Sequence, residues 1–237
     1  QLLPYLYTKF YENHRYGLPV MRSMAQMYEM DDSLVTVDDQ FFLGSSLVIK
    51  PVVAQGVQKM TTLLPIEDNW YDYHTFKAVT PTGTGELSQD VADDRIPVFI
   101  RGGQIIARKD RVRRNASLMA HDPFTLIVAV DRHREAKGHV YVDDGATFDY
   151  RDKGEFCQTL LSLKGTSLSS RVVAGKCDFG NSVEKIYILG LQKLPEAIYR
   201  SSAGNKEALD FYIEGERILI KLPNVKITNE WEIMLLF

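Results

Sequence analysis

From Leu18 onward, short runs of β-branched and aromatic residues recur about every ten positions, separated by clusters of Asp, Gly and Pro. That rhythm is the signature of a sandwich or barrel, and helical periodicity does not clearly return after residue 17. The spacing predicts strands over 18–24, 34–42, 46–53, 57–64, 70–76, 87–91 and 96–106. Turns are expected at Met30-Asp31-Asp32-Ser33, Gly44-Ser45 and Pro81-Thr82-Gly83-Thr84-Gly85. A polar stretch from Arg108 to Asn115 then separates this part from Phe124-Thr125-Leu126-Ile127-Val128-Ala129-Val130, where apolar residues resume and a domain boundary is expected. Val140-Tyr141-Val142 runs into Asp143-Asp144-Gly145, an Asp-Gly hairpin turn. Strands over 156–163, 167–174, 184–191, 195–199, 208–213, 217–222 and 230–237 would complete a second, mostly antiparallel sandwich.

The densest of these runs, Asp94 to Ile106, reads as one buried strand. Ile96, Val98, Phe99, Ile100, Ile105 and Ile106 suit a pleated surface, and Pro97, which has no N–H for a ladder, belongs at a strand start or edge. Gly102-Gly103 permits the positive φ of a bulge or tight turn. Arg95 and Arg101 must be exposed or paired, and Asp93 and Asp94 are at hand as partners.

Residues 1–16 differ. Leu3, Leu6, Tyr7, Phe10 and His14, with Leu2 and Tyr11 beside them, follow the rhythm of an amphipathic helix that Gly17 and Pro19 stop. Gln1 is no capping residue, and an isolated helix of this length is marginal in water. The segment therefore reads as the end of a longer helix, from a polypeptide that was cut or continues upstream, with Pro4 near a first turn or at a kink.

Composition removes whole classes of function. A net charge of -3 and a pI near 6 leave no electrostatic footprint for nucleic acid, the basic cluster Arg108 to Arg114 being too short to supply one. No apolar run approaches the roughly 18 to 20 residues that span a bilayer, so no membrane span is expected. Cys157 and Cys177 are not at metal-ligand spacing and leave a single disulfide open. Asn115-Ala116-Ser117 is a glycosylation sequon that matters only in a secretory compartment, and neither a signal peptide nor a Lys-Asp-Glu-Leu type ending is seen.

Candidate chemistry is thin. Asp-Asp pairs at 31–32, 38–39, 93–94 and 143–144 would matter for acid–base work or calcium only if they converged, and adjacent strand residues point to opposite faces. They read better as turn and edge residues. His14, His74, His121, His133 and His139 are scattered, and no GxSxG, P-loop or GxGxxG is present. Trp70-Tyr71-Asp72-Tyr73-His74 offers rings that could stack on a sugar, though packing is the commoner use of such residues.

Order then adds what composition does not. Leu2-Leu3-Pro4-Tyr5-Leu6-Tyr7 through Gly17-Leu18-Pro19-Val20-Met21-Arg22, Asp38-Asp39-Gln40-Phe41-Phe42-Leu43-Gly44, Trp70-Tyr71-Asp72, Asp94 through Gly103, and Asp143-Asp144-Gly145 resemble landmarks of family 31 glycoside hydrolases, the retaining α-glucosidases, in family order. Arg111-Val112-Arg113-Arg114-Asn115-Ala116-Ser117 with Met119, Asp122-Pro123 and Thr125-Leu126 resembles the family's endoplasmic-reticulum branch most. Ser23 and Ser45 depart from the usual Pro and Asp, and the resemblance fades beyond about residue 155.

The resemblance implies a mainly β chain: 1–16 as the end of the last helix of a (β/α)8 barrel, 17–107 as a proximal sandwich and 108–237 as a distal one. It further implies an aspartate nucleophile and an aspartate acid/base at the C-terminal face of the barrel strands, upstream of Gln1. No catalytic, cofactor-binding or metal residue is therefore assigned here, and no cofactor is needed. Also implied are lumenal N-glycan trimming in glycoprotein quality control, the barrel part of the same subunit and a regulatory β subunit as partners, and a glucosylated N-glycan as substrate. Two other readings remain: a self-sufficient carbohydrate-binding sandwich using Trp70, Tyr71, Tyr73 or Tyr141, and part of a different family 31 α-glucosidase from lysosome or cell surface.

Overall fold

The computed structural model describes residues 1–92, 94–177, 181–202 and 205–237; Asp93, and with it the 93–94 pair, lies outside them. Helix α1 (Leu3–Tyr16) leads into β1 (Met21–Arg22), a single turn α2 (Met24–Met27), β2 (Phe41–Leu43) and β3 (Leu47–Ile49). Next come β4 (Lys59–Leu63), β5 (Trp70–Asp72), β6 (Ala78–Val79), β7 (Glu86–Asp90), β8 (Val98–Arg101) and β9 (Gln104–Arg108). β10 (Phe124–Ala129) and β11 (Ala136–Val142) precede a short α3 (Asp149–Asp152), β12 (Cys157–Lys164), β13 (Ser167–Gly175) and β14 (Ser182–Leu189). β15 (Ala197–Ser202), β16 (Asn205–Ala208), β17 (Phe211–Glu214), β18 (Arg217–Lys226) and β19 (Trp231–Leu236) follow.

The chain is mainly β, as expected. Six strands form one sheet in the order β1-β2-β3-β8-β5-β6, and β4 pairs with β7 beside it. Eleven strands form the other, in the order β16-β15-β19-β13-β12-β11-β9-β10-β14-β18-β17. Its two wings share one core, in which Leu161, Leu168, Ile198 and Ile233 meet Leu126, Val128, Ile186 and Ile220, so the sheet is curled onto itself.

The middle of that large sheet is buried on both faces. Ile105, Leu126, Val128 and Ile188 point into its own interior, whereas Ile106, Ile127, Ala129 and Leu189 point toward the smaller sheet, where Leu47, Tyr71, Val98 and Ile100 meet them. Period-2 alternation with both faces covered is why residues 124–130 read as a continuous apolar run.

Several expectations are corrected. The stretch read as one strand is two: Gly102 and Gly103, the latter at φ 81°, turn the chain from β8 in the small sheet to β9 in the large one. The second sandwich is mostly antiparallel, as expected, with two parallel pairings, β10 with β14 and β11 with β9. Strand 18–24 shrinks to two residues because Ser23 caps α2, its Oγ accepting from Gln26 N while the Gln26 side chain accepts from Ser23 N. Strand 34–42 survives only at its end, since Asp31 caps a 3-10 turn over Asp32–Leu34. Strand 208–213 divides into β16 and β17.

The Asp-Gly hairpin is not formed either. Val142 pairs with Cys157, and residues 143–156 make a long excursion in which Asp144 accepts from the N–H groups of Ala146 and Thr147 and from the Thr147 hydroxyl. Cys157 and Cys177 are joined by a disulfide, their Cα atoms 5.6 Å apart.

Candidate functional site

Helix α1 combines unusual burial on one side with unusual exposure on the other. It ends as its sequence requires: Gly17 adopts the left-handed conformation at φ 72° and donates to Asn13 O, while Asn13 Nδ2 donates to Leu18 O. Its inward face is polar. Tyr5 donates to Leu43 O at 2.7 Å and accepts from Ser46 N, which ties the helix to the small sheet. Thr8 accepts from Tyr141 N at 3.0 Å and donates to Pro4 O, which ties it to the large one. Lys9 and Glu12, one turn apart, form an ion pair at 2.9 Å and are both buried.

The outward face is apolar. Leu3, Tyr7 and Phe10 lie at i, i+4 and i+7 along one stripe, and Leu3 is 44% and Phe10 57% exposed. Of the residues that periodicity marks as a core face, Leu3 and Phe10 thus point away from both sheets and Tyr7 and Tyr11 lie along the rim against Tyr141, while the polar positions between them face in. Burying an ion pair while an aromatic stripe stays wet is the reverse of what a surface helix does on its own account.

Beside the helix, Asp143 gathers three donors: the Tyr7 hydroxyl at 2.7 Å, the Tyr141 hydroxyl at 2.8 Å and Gly145 N at 2.8 Å. Tyr11 stacks on Tyr141 with ring centroids 3.9 Å apart. Burial, reinforced by the Asp143 carboxylate, holds the Tyr7 and Tyr141 hydroxyls in the protonated form well above the ordinary tyrosine range. The cluster locks the 143–156 excursion to the helix and offers no free acid.

The remaining sequence candidates do not converge. Asp39 pairs with Lys50, Asp94 weakly with Arg95 at 3.7 Å in solvent, and Asp31 caps its turn. Arg101 does not use Asp94: it pairs with Asp68 at 2.8 Å, the same carboxylate that accepts from Tyr28. The five histidines are exposed and scattered. Among the described residues, no group of three or more His, Cys, Asp or Glu is placed to hold a metal ion, and no helix is long and apolar enough to cross a membrane.

The aromatic run offers no sugar platform. Trp70 is 1% and Tyr71 2% exposed, Tyr73 and Tyr141 are also buried, and the Trp70 indole donates to Pro65 O while the Tyr71 hydroxyl donates to Val130 O. This overturns the reading of these rings as a carbohydrate-stacking face. What sequence reasoning missed was the buried polar face of α1; the available signal was that Lys9 and Glu12 stand at i, i+3 pairing spacing.

Comparison with known proteins gives this geometry its setting. Residues 17–106 match the Glycosyl hydrolase family 31 C-terminal domain. The chain is 37% identical over 242 residues to neutral α-glucosidase AB of Dictyostelium discoideum, the match covering 98% of this chain and 25% of that protein. It is 35% identical to the protein of the same name from Homo sapiens, with 99% and 25% covered. A crystal structure of a Tris-bound glucosidase II α subunit superposes with a TM-score of 0.89 at 29% identity, covering 99% of this chain and 27% of that one. A structure described as an ER glucosidase II heterodimer of catalytic subunit and regulatory-subunit binding domain is equally similar, with a TM-score of 0.89. The chain spans about a quarter of the length of the curated relatives it matches.

Proposed function

This chain belongs to glycosyl hydrolase family 31, with the family's C-terminal domain at residues 17–106, and from that premise we propose that it is the scaffold portion of a retaining α-glucosidase. In this reading residues 1–16 close an upstream (β/α)8 barrel and the catalytic aspartates lie on that barrel; the proximal and distal sandwiches meet at the Gly102-Gly103 turn, not at 107/108, because β9 (Gln104–Arg108) pairs within the large sheet. The whole protein trims α-1,3-linked glucose from N-linked glycans in the endoplasmic reticulum lumen, beside a regulatory β subunit. Support comes from relatives: the solved neighbours include α subunits with an α3-linked diglucose and with Glc1Man2 bound, and one in complex with a regulatory-subunit domain.

The observation that carries the reading is the inverted helix. A stripe of Leu3, Tyr7 and Phe10 on a helix whose polar side is already buried requires an apolar partner, and a barrel neighbour supplies one. The chain's contribution to catalysis is positional: a retaining site needs its two carboxyl groups about 5 to 5.5 Å apart, and a closing helix tied to both sheets by Tyr5 and Thr8 keeps the barrel from loosening.

The test is to produce residues 1–237 and the upstream portion as separate chains in one cell, then apply native mass spectrometry and assay an aryl α-glucoside, maltose and a diglucosylated N-glycan. A complex that carries the activity, prefers the N-glycan and is lost with Phe10→Asp is the expected result. An upstream portion fully active alone would overturn the scaffold role, and a preference for maltose would assign the protein to another branch of the family.

A further inference from the structure

We propose that Asn115 carries an N-linked oligosaccharide, so that this glycan-processing protein is itself glycosylated in its distal half. The proposal rests on the lumenal reading above. Of the chain's asparagines only Asn115 begins an Asn-x-Ser/Thr sequence, and its middle residue, Ala116, is not Pro.

The structure shows how the site is presented. Residues 111–118 are exposed throughout, at the tip of the connection between β9 and β10. Its feet are pinned: Lys109 Nζ donates to Met119 O and Ala120 O, Arg113 donates to both oxygens of Asp122, and Asn181 Nδ2 donates to Ala120 O and Asp122 O. The tip is therefore held out from the sheet by anchors that the modification would not touch.

Asn115 itself is extended, at φ −149° and ψ 167°, and caps the 3-10 turn over Ala116–Met119. The cap uses only its oxygen, which accepts from Leu118 N at 3.1 Å; among the described residues nothing accepts from Nδ2. Glycosylation uses that other atom. An Nδ2–C1 bond forms to an oligosaccharide delivered from a lipid diphosphate, the C1–O bond to the diphosphate breaks, Nδ2 gives up one proton, and the lipid diphosphate leaves. The amide oxygen stays in place, so cap and glycan coexist. The Cys157–Cys177 disulfide is a second sign of the oxidising compartment in which this transfer takes place.

The experiment uses the full-length protein made in a eukaryotic secretory host, with a reporter sequon in a flexible tag fused to its C-terminus. Expected are a glycopeptide spanning Asn115, and a mobility shift on treatment with peptide-N-glycosidase that is smaller by one glycan in both Ser117→Ala, which keeps the cap, and Asn115→Asp, which keeps the cap's oxygen but not Nδ2. A glycosylated reporter with a bare Asn115 overturns this proposal and leaves the lumenal reading standing. A bare reporter together with a bare Asn115 overturns both.

Discussion

Tyr71 illustrates how much a single side chain is asked to do. It is a landmark of the sequence resemblance, its ring fills the core between the two sheets, and its hydroxyl donates to Val130 O at 2.7 Å. Burial pushes its hydroxyl up to about 12 from an unfolded value of 10.0. Between those values the unfolded chain releases a proton that the folded chain keeps, so this contribution to stability is whole below about pH 10 and is lost as pH rises toward about 12. Tyr71→Phe is expected to cost about 1 kcal/mol near neutrality and to flatten the alkaline decline over that window, as read from urea midpoints against pH. Gly44 is as tightly constrained: at φ +61° a Cβ would stand 2.3 Å from the Tyr5 hydroxyl and 2.9 Å from Lys9 Cδ. Gly44→Ala should therefore cost about 2 kcal/mol in denaturant unfolding, because the left-handed backbone is strained and the Tyr5 anchor is displaced. The Gly44 constraint is not visible before the helix is seen to lie over that turn, nor the Tyr71 one before the two sheets are seen to meet at Val130.

At the scale of elements, the strands most legible in the sequence are those buried on both faces, and β10 is found where the apolar run stands. The helical turns were missed where a local cap outcompeted an apolar pattern. Ser23-x-x-Gln26 is a capping box readable in advance, and it takes the chain out of extended conformation despite Met24 and Met27 nearby. Gly138 marks another element-level constraint, the approach of β11 to β9: a Cβ there would lie 2.1 Å from Ile105 O. Gly138→Ala is expected to separate the strands and cost about 3 kcal/mol. Gly165→Ala, in an open turn at φ +59°, should cost about 1 kcal/mol in the same thermal or urea unfolding, from backbone strain alone.

For the whole molecule, the disulfide spans 20 residues, from β12 to the segment that follows β13. Replacing Cys177 by Ala is expected to lower stability by about 3 kcal/mol, with wild type under full reduction matching the variant in a paired denaturant titration. The two sheets share a core through Ile106, Ile127 and Leu189, so that loss should appear in one cooperative transition. By itself the sequence determined the β class, the helix and its glycine stop, the family landmarks and the location of most strands, because these follow from local periodicity and turn chemistry. Only the tertiary structure decided that one apparent strand serves two sheets, that Arg101 belongs to Asp68, that the aromatic run is core, and that α1 shows its apolar side to solvent. Each of those depends on which distant surface a side chain meets, and a repeat of two or of 3.6 residues says which positions share a face without saying what lies opposite it.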